Sequence, residues 1–347
     1  MVAVLAILAG VAAACSAEAD EGAVHVIKVD GVVGPIMERY IDRTLSDAED
    51  SNARAAVLAL DTPGGLNDSM RDIVQRIERA DVPVFVYVYP LGSRAASAGT
   101  FITMAGHIAA MAPNTSIGAA SAINSDGSDI EGALGRKIEN DAVAFIRGIA
   151  ELRGRNADWA EDAVRDAVAV NQTEAVELNV VDFVANDVDH LLEQAEGREI
   201  ELKPGITATL TGLTTADRVD VEMTLWENIL DFLADPTIAS LLISLGFLGL
   251  IIELSSPGLI LPGVGGAISM VLGFLGFGLL PVDVVGLILI GLGLGLISLE
   301  LFLPGGILGG VGGFALVVGA IIAFRDTPAE LRPPMWLAIA CVAIVAA

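Results

Sequence analysis

Ser97 lies in Ala95-Ala96-Ser97-Ala98-Gly99, with small residues on every side. An apolar helix-forming run, 101–105, follows it, and the strand-like stretch Val84–Val88 precedes it. Small neighbours let another backbone approach closely, and a helix that starts at a nucleophile sets its positive end beneath it. The order strand, glycine-containing loop, serine, helix is how α/β hydrolytic folds expose a nucleophile, although this is not the G-x-S-x-G elbow. Taken alone, the stretch reads equally as a serine in a tight helix contact. Two other stretches bear on it. DTPGG at 61–65 follows a buried strand, and its consecutive glycines let backbone N–H groups point at a ligand oxygen, as an oxyanion hole requires. The Ala98 N–H is a candidate second donor. GRKIENDAVAFIR at 135–147 offers Lys137 near a helix start. A serine needs a base, no motif places a histidine there, and a partly desolvated lysine with a lowered pKa is the physical alternative. Read by itself, Lys137 is a surface lysine ion-paired with Glu139 or Asp141.

Composition narrows the function classes. Lysine occurs only at 28, 137 and 203, and arginine supplies the other sixteen cations, so a lysine at 137 departs from the chain's own habit. The net charge of −25 argues against a nucleic-acid partner, because phosphate contacts need clustered Lys and Arg. It reads instead as a solvated acidic surface. Cys15 and Cys341 sit in apolar terminal segments and imply no disulfide framework. His25, His107 and His190 are scattered without ligand spacing, so neither a metal nor a cofactor is expected.

The elements that must position these residues follow from periodicity. VHVIKVD at 24–30 alternates as a half-buried strand, 36–49 has a helical pattern, and AAVLAL at 55–60 is a strand buried on both faces. An amphipathic helix over 67–79 turns Ile73, Val74 and Ile77 inward, and 84–88 is the next buried strand. Strands alternating with helices of this length predict a parallel sheet with crossover helices. Short strands are expected at 107–111, 116–118 and 180–184, and a polar loop at 124–129. Helices are expected at 134–152, 157–167 behind an Asn156 cap, 173–178 and 187–194. A polar, β-rich rim covers 198–218.

The chain is also strongly apolar, with 54% hydrophobic residues and a mean hydropathy of +0.66. Residues 1–19 read as a signal peptide or lipoprotein leader, with an apolar run to 14, a small-residue cleavage site at 12–14 and Cys15 as a possible lipid acceptor. Residues 20–220 form a soluble domain and 221–236 an interfacial helix. Apolar stretches near 237–252, 263–280, 284–303, 306–324 and 335–347 read as about five spans, the last one cut short. Glu253-Leu254-x-x-Pro257-Gly258 with Gly263-Val264-Gly265-Gly266 recurs 47 residues later, from Glu300 to Gly313, as a duplicated two-span hairpin. Glu253 and Glu300 are costly inside apolar spans and are expected to face the bundle interior or a headgroup boundary. Arg325 and Arg332 are the only Lys or Arg after residue 218, so loop charge has little to say about orientation.

The ordered set DTPGG, AASAGT, AGHIAAMAPNTSIGAA, the K-I-x-N-D of 137–141, RGRNADWAEDAV and TEAVEL resembles the Clp protease and signal-peptide-peptidase-A group of serine peptidases. More closely, it resembles the NfeD family of membrane-bound serine proteases, partners of stomatin-like proteins. The resemblance covers nearly the whole chain. It implies a Clp/crotonase-type α/β spiral followed by an all-α multi-span membrane domain. It implies a Ser97–Lys137 dyad, with Gly64, Gly65 and Ala98 at the oxyanion hole. It further implies cleavage of apolar peptide segments such as those of a stomatin-like protein, contact with membrane lipid, and a homodimer or larger oligomer. The implied placement is the plasma (inner) membrane with an extracytoplasmic catalytic domain. Full-length members usually carry a C-terminal OB-like barrel after the spans, and the sequence is expected to be truncated before it. Two rival classes share parts of the pattern: a non-enzymatic membrane scaffold that binds a stomatin-like partner, and a crotonase-type acyl-CoA enzyme, against which secretion and the serine–lysine pair speak.

Overall fold

The computed structural model describes residues 22–121, 130, 132–255, 260–277, 284–300 and 307–323. The expected leader at 1–19, the loop at 124–129 and the apolar stretch at 335–347 lie outside the described residues. The chain divides into two compact units, 1–224 and 225–347.

The first unit is built on β1 (Val24–Asp30), β2 (Ala55–Asp61), β3 (Val84–Val88), β5 (Ile108–Met111), β8 (Phe183–Val184) and β11 (Arg218–Val221), in the order β11-β1-β2-β3-β5-β8. Every neighbouring pair is parallel. β2 and β3 are buried along nearly their whole length, as unbroken apolar runs require. Their alternate residues feed two cores. Ala56, Leu58, Leu60, Val86 and Val88 face one, and Val57, Phe85 and Tyr87 the other. The first core is closed by α1 (Pro35–Asp50), through Met37, Tyr40, Ile41 and Leu45, and by α2 (Asn67–Glu78), through Met70, Ile73, Val74 and Ile77.

A second, three-stranded sheet carries the nucleophile turn. β4 (Arg94–Ala96) and β7 (Ala169–Asn171) flank β6 (Ser116–Gly118), parallel and antiparallel respectively. The short strand expected at 116–118 is β6, whereas β4 and β7, of the same length, were not expected: each is held by its pairing with β6 rather than by a pattern of its own. α3 (Ala98–Ala105) follows Ser97 directly, and α4 (Gly132–Leu152), α5 (Ala157–Arg165), α6 (Gln172–Glu177) and α7 (Val188–Ala195) fall where periodicity put them. Asn156 caps α5 by accepting from Trp159 N–H at 3.0 Å, and Asn171 and Glu174 form a capping box on α6. The strand expected from 180 begins only at Phe183, because the Val180 and Val181 amides bond back to Ala175 O at 2.8 and 3.2 Å and finish the turn after α6. Part of the polar rim is the antiparallel pair β9 (Glu199–Lys203) and β10 (Ile206–Thr209). The end of the rim is β11, an edge strand of the main sheet that includes residue 221, and Tyr40 Oη donates to Val221 O at 2.7 Å.

The second unit contains α8 (Leu225–Ala234), α9 (Pro236–Ser255), α10 (Ile260–Phe277), α11 (Val284–Glu300) and α12 (Ile307–Ala323). α9 packs on α10, and α11 on α12, so the 47-residue repeat is a pair of helical hairpins. Glycine sets the spacing in the first hairpin: a Cβ on Gly266 would lie 2.7 Å from Gly246 O and 3.0 Å from Leu250 N. The first four expected spans coincide with α9–α12. Among the described residues, no helix is long and apolar enough to cross a membrane.

Because β11 completes the main sheet, a fragment of residues 22–224 is expected to unfold cooperatively. One ending at residue 214 is expected to lose the edge strand and the Tyr40 bond, and to unfold at a midpoint several degrees lower. Urea and thermal melts followed by circular dichroism check this.

Candidate active site

Ser97 forms the junction between β4 and α3 with φ 51° and ψ −115°, in the left-handed half of the map. For a residue with a Cβ this is a strained conformation that costs on the order of 1–3 kcal/mol and persists only where the surroundings over-determine it. They do so here. Ser97 N–H donates to Gly118 O at 3.1 Å, Thr100 N–H to Ser97 O at 3.0 Å, and Ala96 N–H to Thr62 O at 3.1 Å. Thr100 Oγ1 lies 3.0 Å from both Ala95 O and Gly118 O. The bend brings the Ser97 side chain, half-buried, against Gly64. Gly64 has φ +117°, and a Cβ there would sit 2.6 Å from Ser97 Cβ and 3.1 Å from Ser97 Oγ. Only glycine fits that position.

The three sequence-derived donors divide. Gly64 N–H is already committed to Thr62 Oγ1 at 3.0 Å, so Gly64 gives space rather than a donor. The neighbouring turn is held by Val33, which donates to Gly64 O at 2.9 Å and accepts from Leu66 N–H at 2.8 Å. The Gly65 and Ala98 amides have no acceptor among the described residues. Ala98 follows the serine in the chain, and Gly65 follows Gly64, which packs against it.

Lys137 lies in the second turn of α4 and is exposed, so the chain itself does not provide the burial expected of a lysine base. It has no hydrogen bond to Ser97. The alternative surface pairing is absent too. Glu139 bonds Arg165 at 2.6 Å, and Asp141 is ion-paired with Arg71 of α2. Lys137 is thereby left uncommitted among the described residues. Its helix is fixed near the serine by Phe145, which stacks on Phe101 of α3 at 6.0 Å between centroids and carries the Arg71 guanidinium 4.3 Å above its ring.

No histidine competes for the role of base. His25 contacts Ser51 Oγ at 3.3 Å, and His190 sits between Asn186 N and Gln194. His107 is buried, with Nδ1 accepting from Val84 N–H at 3.0 Å and Nε2 at 2.8 Å from Leu202 O, an arrangement that requires the proton on Nε2. Burial, helped by the nearby guanidiniums of Arg153 and Arg155, brings its pKa down to about 4.

What sequence reasoning missed is the arginine clasp at the far end of α3. Arg155 donates to Met104 O and Gly106 O at 2.5 and 2.9 Å and to Asp182 at 2.8 Å, while Arg153 donates to Ala105 O at 2.9 Å. These bonds satisfy carbonyls that an eight-residue helix leaves open at its C-terminus. The RGR of 153–155 carried that signal without indicating its target.

Residues 23–203 match the family model described as the NfeD1b N-terminal domain, and residues 237–347 match the NfeD integral membrane domain. The chain belongs to the NfeD family. The membrane-bound protease PH1510 of Pyrococcus horikoshii is 35% identical over 268 residues, covering 76% of this chain and 60% of the relative. This NfeD chain thus spans about three-fifths of that relative's length. Among solved structures, a stomatin-specific membrane-bound protease with one lysine replaced by alanine, in complex with a substrate peptide, superposes with a TM-score of 0.57 at 35% identity. It covers 61% of this chain and 97% of its own. A serine-to-alanine variant of the same protease gives 0.55 at 36% identity, covering 59% and 99%. The α/β architecture of the first unit is therefore that of the NfeD N-terminal domain.

Two outcomes follow from this geometry. Gly64→Ala is expected to reduce any Ser97-dependent turnover at least 100-fold, because the added methyl displaces the serine, while Gly148→Ala, at a site with open space, leaves turnover unchanged. Steady-state kinetics with matched melting curves check it. As for His107, its folded pKa lies below the ordinary 6.5, so the unfolded chain takes up the proton first as pH falls. The stability that neutral His107 contributes is whole above about pH 6.5 and is lost towards pH 4, by at most about 3 kcal/mol. Melting temperature against pH, in the wild type and in His107→Asn, reads this out: the variant is expected to show a shallower slope between pH 6.5 and 4.

Proposed function

We propose that this NfeD protein is a membrane-anchored serine endopeptidase in which Ser97 is the nucleophile and Lys137 the general base, acting on apolar peptide segments of a stomatin-like membrane protein. The observation that carries the reading is the strained Ser97 turn, which sets the serine side chain against Gly64, while the amides of the next residue, Gly65, and of Ala98 have no acceptor among the described residues. Lys137, which has no carboxylate partner among the described residues, supports the choice of base. So do the solved relatives altered at one serine and at one lysine, the latter bound to a substrate peptide.

In this mechanism neutral Lys137 Nζ takes the Ser97 Oγ proton as Oγ attacks the scissile carbonyl carbon. The carbonyl oxygen becomes an oxyanion held by the Gly65 and Ala98 N–H groups. Collapse breaks the C–N bond, the leaving amine receives the proton from Lys137, and an acyl ester remains on Ser97. A water molecule, deprotonated by Lys137, repeats the attack, returns the carboxylic product and restores the serine. The Clp-type spiral, the oligomer and the hairpins α9–α12 embedded in the plasma membrane with the catalytic unit outside belong to the same reading. The NfeD integral membrane domain over 237–347 supports the membrane part.

Ser97→Ala, Lys137→Ala and Lys137→Arg are each expected to lower turnover of an apolar peptide at least 1000-fold with the melting curve unchanged, since guanidinium does not deprotonate. The double Ser97→Ala, Lys137→Ala variant should be no worse than either single one, because the pair acts as a unit. Near-wild-type turnover by Lys137→Ala would remove the dyad. Inactivity of the wild type on every peptide, with stomatin-like partner binding intact, would leave the scaffold reading.

A further inference from the structure

α4 meets α2 and α3 through Phe145 and Asp141. Leu134, Ile138, Asp141 and Phe145 repeat at the i, i+4, i+7, i+11 spacing of one helix face. The C-terminal half is covered: Phe145 packs on Phe101 and Arg71, and Asp141 pairs with Arg71. The N-terminal half continues the same stripe uncovered, with Leu134 63% and Ile138 36% exposed. Lys137 sits on the edge of that uncovered half, beside Ile138 and one turn before Asp141. Leu66, between Gly65 and α2, is a further exposed apolar residue on the serine side.

We propose that this stripe is the seat of the substrate's apolar side chains and that the substrate, by covering it, converts Lys137 into a base. The proposal rests on the reading of Ser97 and Lys137 as a dyad. A hydrated lysine amine holds its proton at neutral pH. An apolar segment laid over Leu134 and Ile138 strips water from the amine at their edge, and loss of water disfavours the ammonium form. The proton leaves to solvent, and neutral Nζ is then ready for the Ser97 proton. Among the described residues, most of the nearby charges are paired or favour the neutral amine. On α4, Glu139 is paired with Arg165 of α5 and Asp141 with Arg71 of α2, and Arg136 is a cation that favours the neutral amine. α3 carries no charged residue, and the remaining acids at the start of α2 are Asp68 and Asp72. The occupant must be apolar because a polar one would bring water or acceptors to the amine and keep it protonated. Selectivity and activation thus become one event.

The test uses the full chain in detergent micelles and two fluorogenic peptide series of equal length, one with Leu and Phe around the scissile bond and one with Ser and Asn. The ascending limb of kcat against pH reports the complex, and that of kcat/KM the free enzyme. With apolar peptides, the kcat limb is expected about 1–2 pH units below the kcat/KM limb, and with polar peptides the two are expected to coincide. Leu134→Ser and Ile138→Asn should raise the kcat limb towards the kcat/KM limb, with folding verified by circular dichroism. Limbs that coincide in the wild type with apolar peptides overturn the proposal; coincidence at low pH would mean that a second copy or another surface already covers the amine. Variants that raise KM without moving the kcat limb overturn it as well. In both cases, loss of turnover in Lys137→Ala would leave the dyad standing, whereas retained turnover in that variant removes the dyad and this inference together.

Discussion

The left-handed turn at Ser97 is the constraint on which the rest of the first unit depends. A serine at φ 51° and ψ −115° does not hold itself there: Ser97 bonds Gly118 of β6 and Thr100 of α3, and its neighbours in β4 are bonded in turn, Ala96 to Thr62 just past β2 and Ala95 to Thr100. The small sheet β4-β6-β7 exists at this point to bring Gly118 under Ser97. At the other end of α3, Arg153 and Arg155 hold the last carbonyls, and Arg155 ties them to Asp182, which also accepts from Ala109 N–H at 2.6 Å. The short helix is thus bonded at both termini and cannot relax the turn by sliding. Removing one partner of such a buried ion pair typically costs on the order of 3–5 kcal/mol, so the clasp is a stability element of the site.

The second organising feature is how the charges are assigned. The surface is acidic, yet the acids around α4 are taken by arginines: Asp141 by Arg71, Glu139 by Arg165, and Asp158 and Glu161 by Arg147. Arginine suits these pairs because its planar fork bonds two oxygens at once. The lysine on the same helix has no carboxylate partner among the described residues, which is what the proposed role of Lys137 as base requires.

In the second unit the interhelical contacts are backbone contacts. Gly246 and Gly266 let α9 and α10 touch, and Ser269 Oγ donates to Leu242 O at 2.8 Å across the same interface. The Glu253 carboxylate lies over Gly263, where a Cβ would meet Oε2 at 1.6 Å, and Oε2 has no partner among the described residues. The repeated pairing of an acid with a glycine ten residues later is thus, in the first hairpin, a fit of side chain into a gap. The acid faces the partner helix, as the cost of an ionisable group among apolar residues demands.

The sequence by itself determined the alternation of buried strands and amphipathic helices, the parallel sheet, the cap at Asn156, the break in composition and the two-hairpin repeat. Each of these rests on periodicity, composition or cap chemistry within a few residues. It also marked Ser97, Gly64, Gly65, Ala98 and Lys137, because small residues and a rare lysine stand out locally. Only the tertiary structure decided which of them do what. Whether an amide is free depends on a partner far away or just out of register: Gly64 N–H is spent on Thr62, while Gly65 N–H is not. Whether a lysine is buried depends on what packs over its helix, and here Lys137 is exposed. The strands β4, β7 and β11 are held by pairing with distant residues rather than by their own few residues, and no local pattern can encode a partner that is about 20 to 200 residues away.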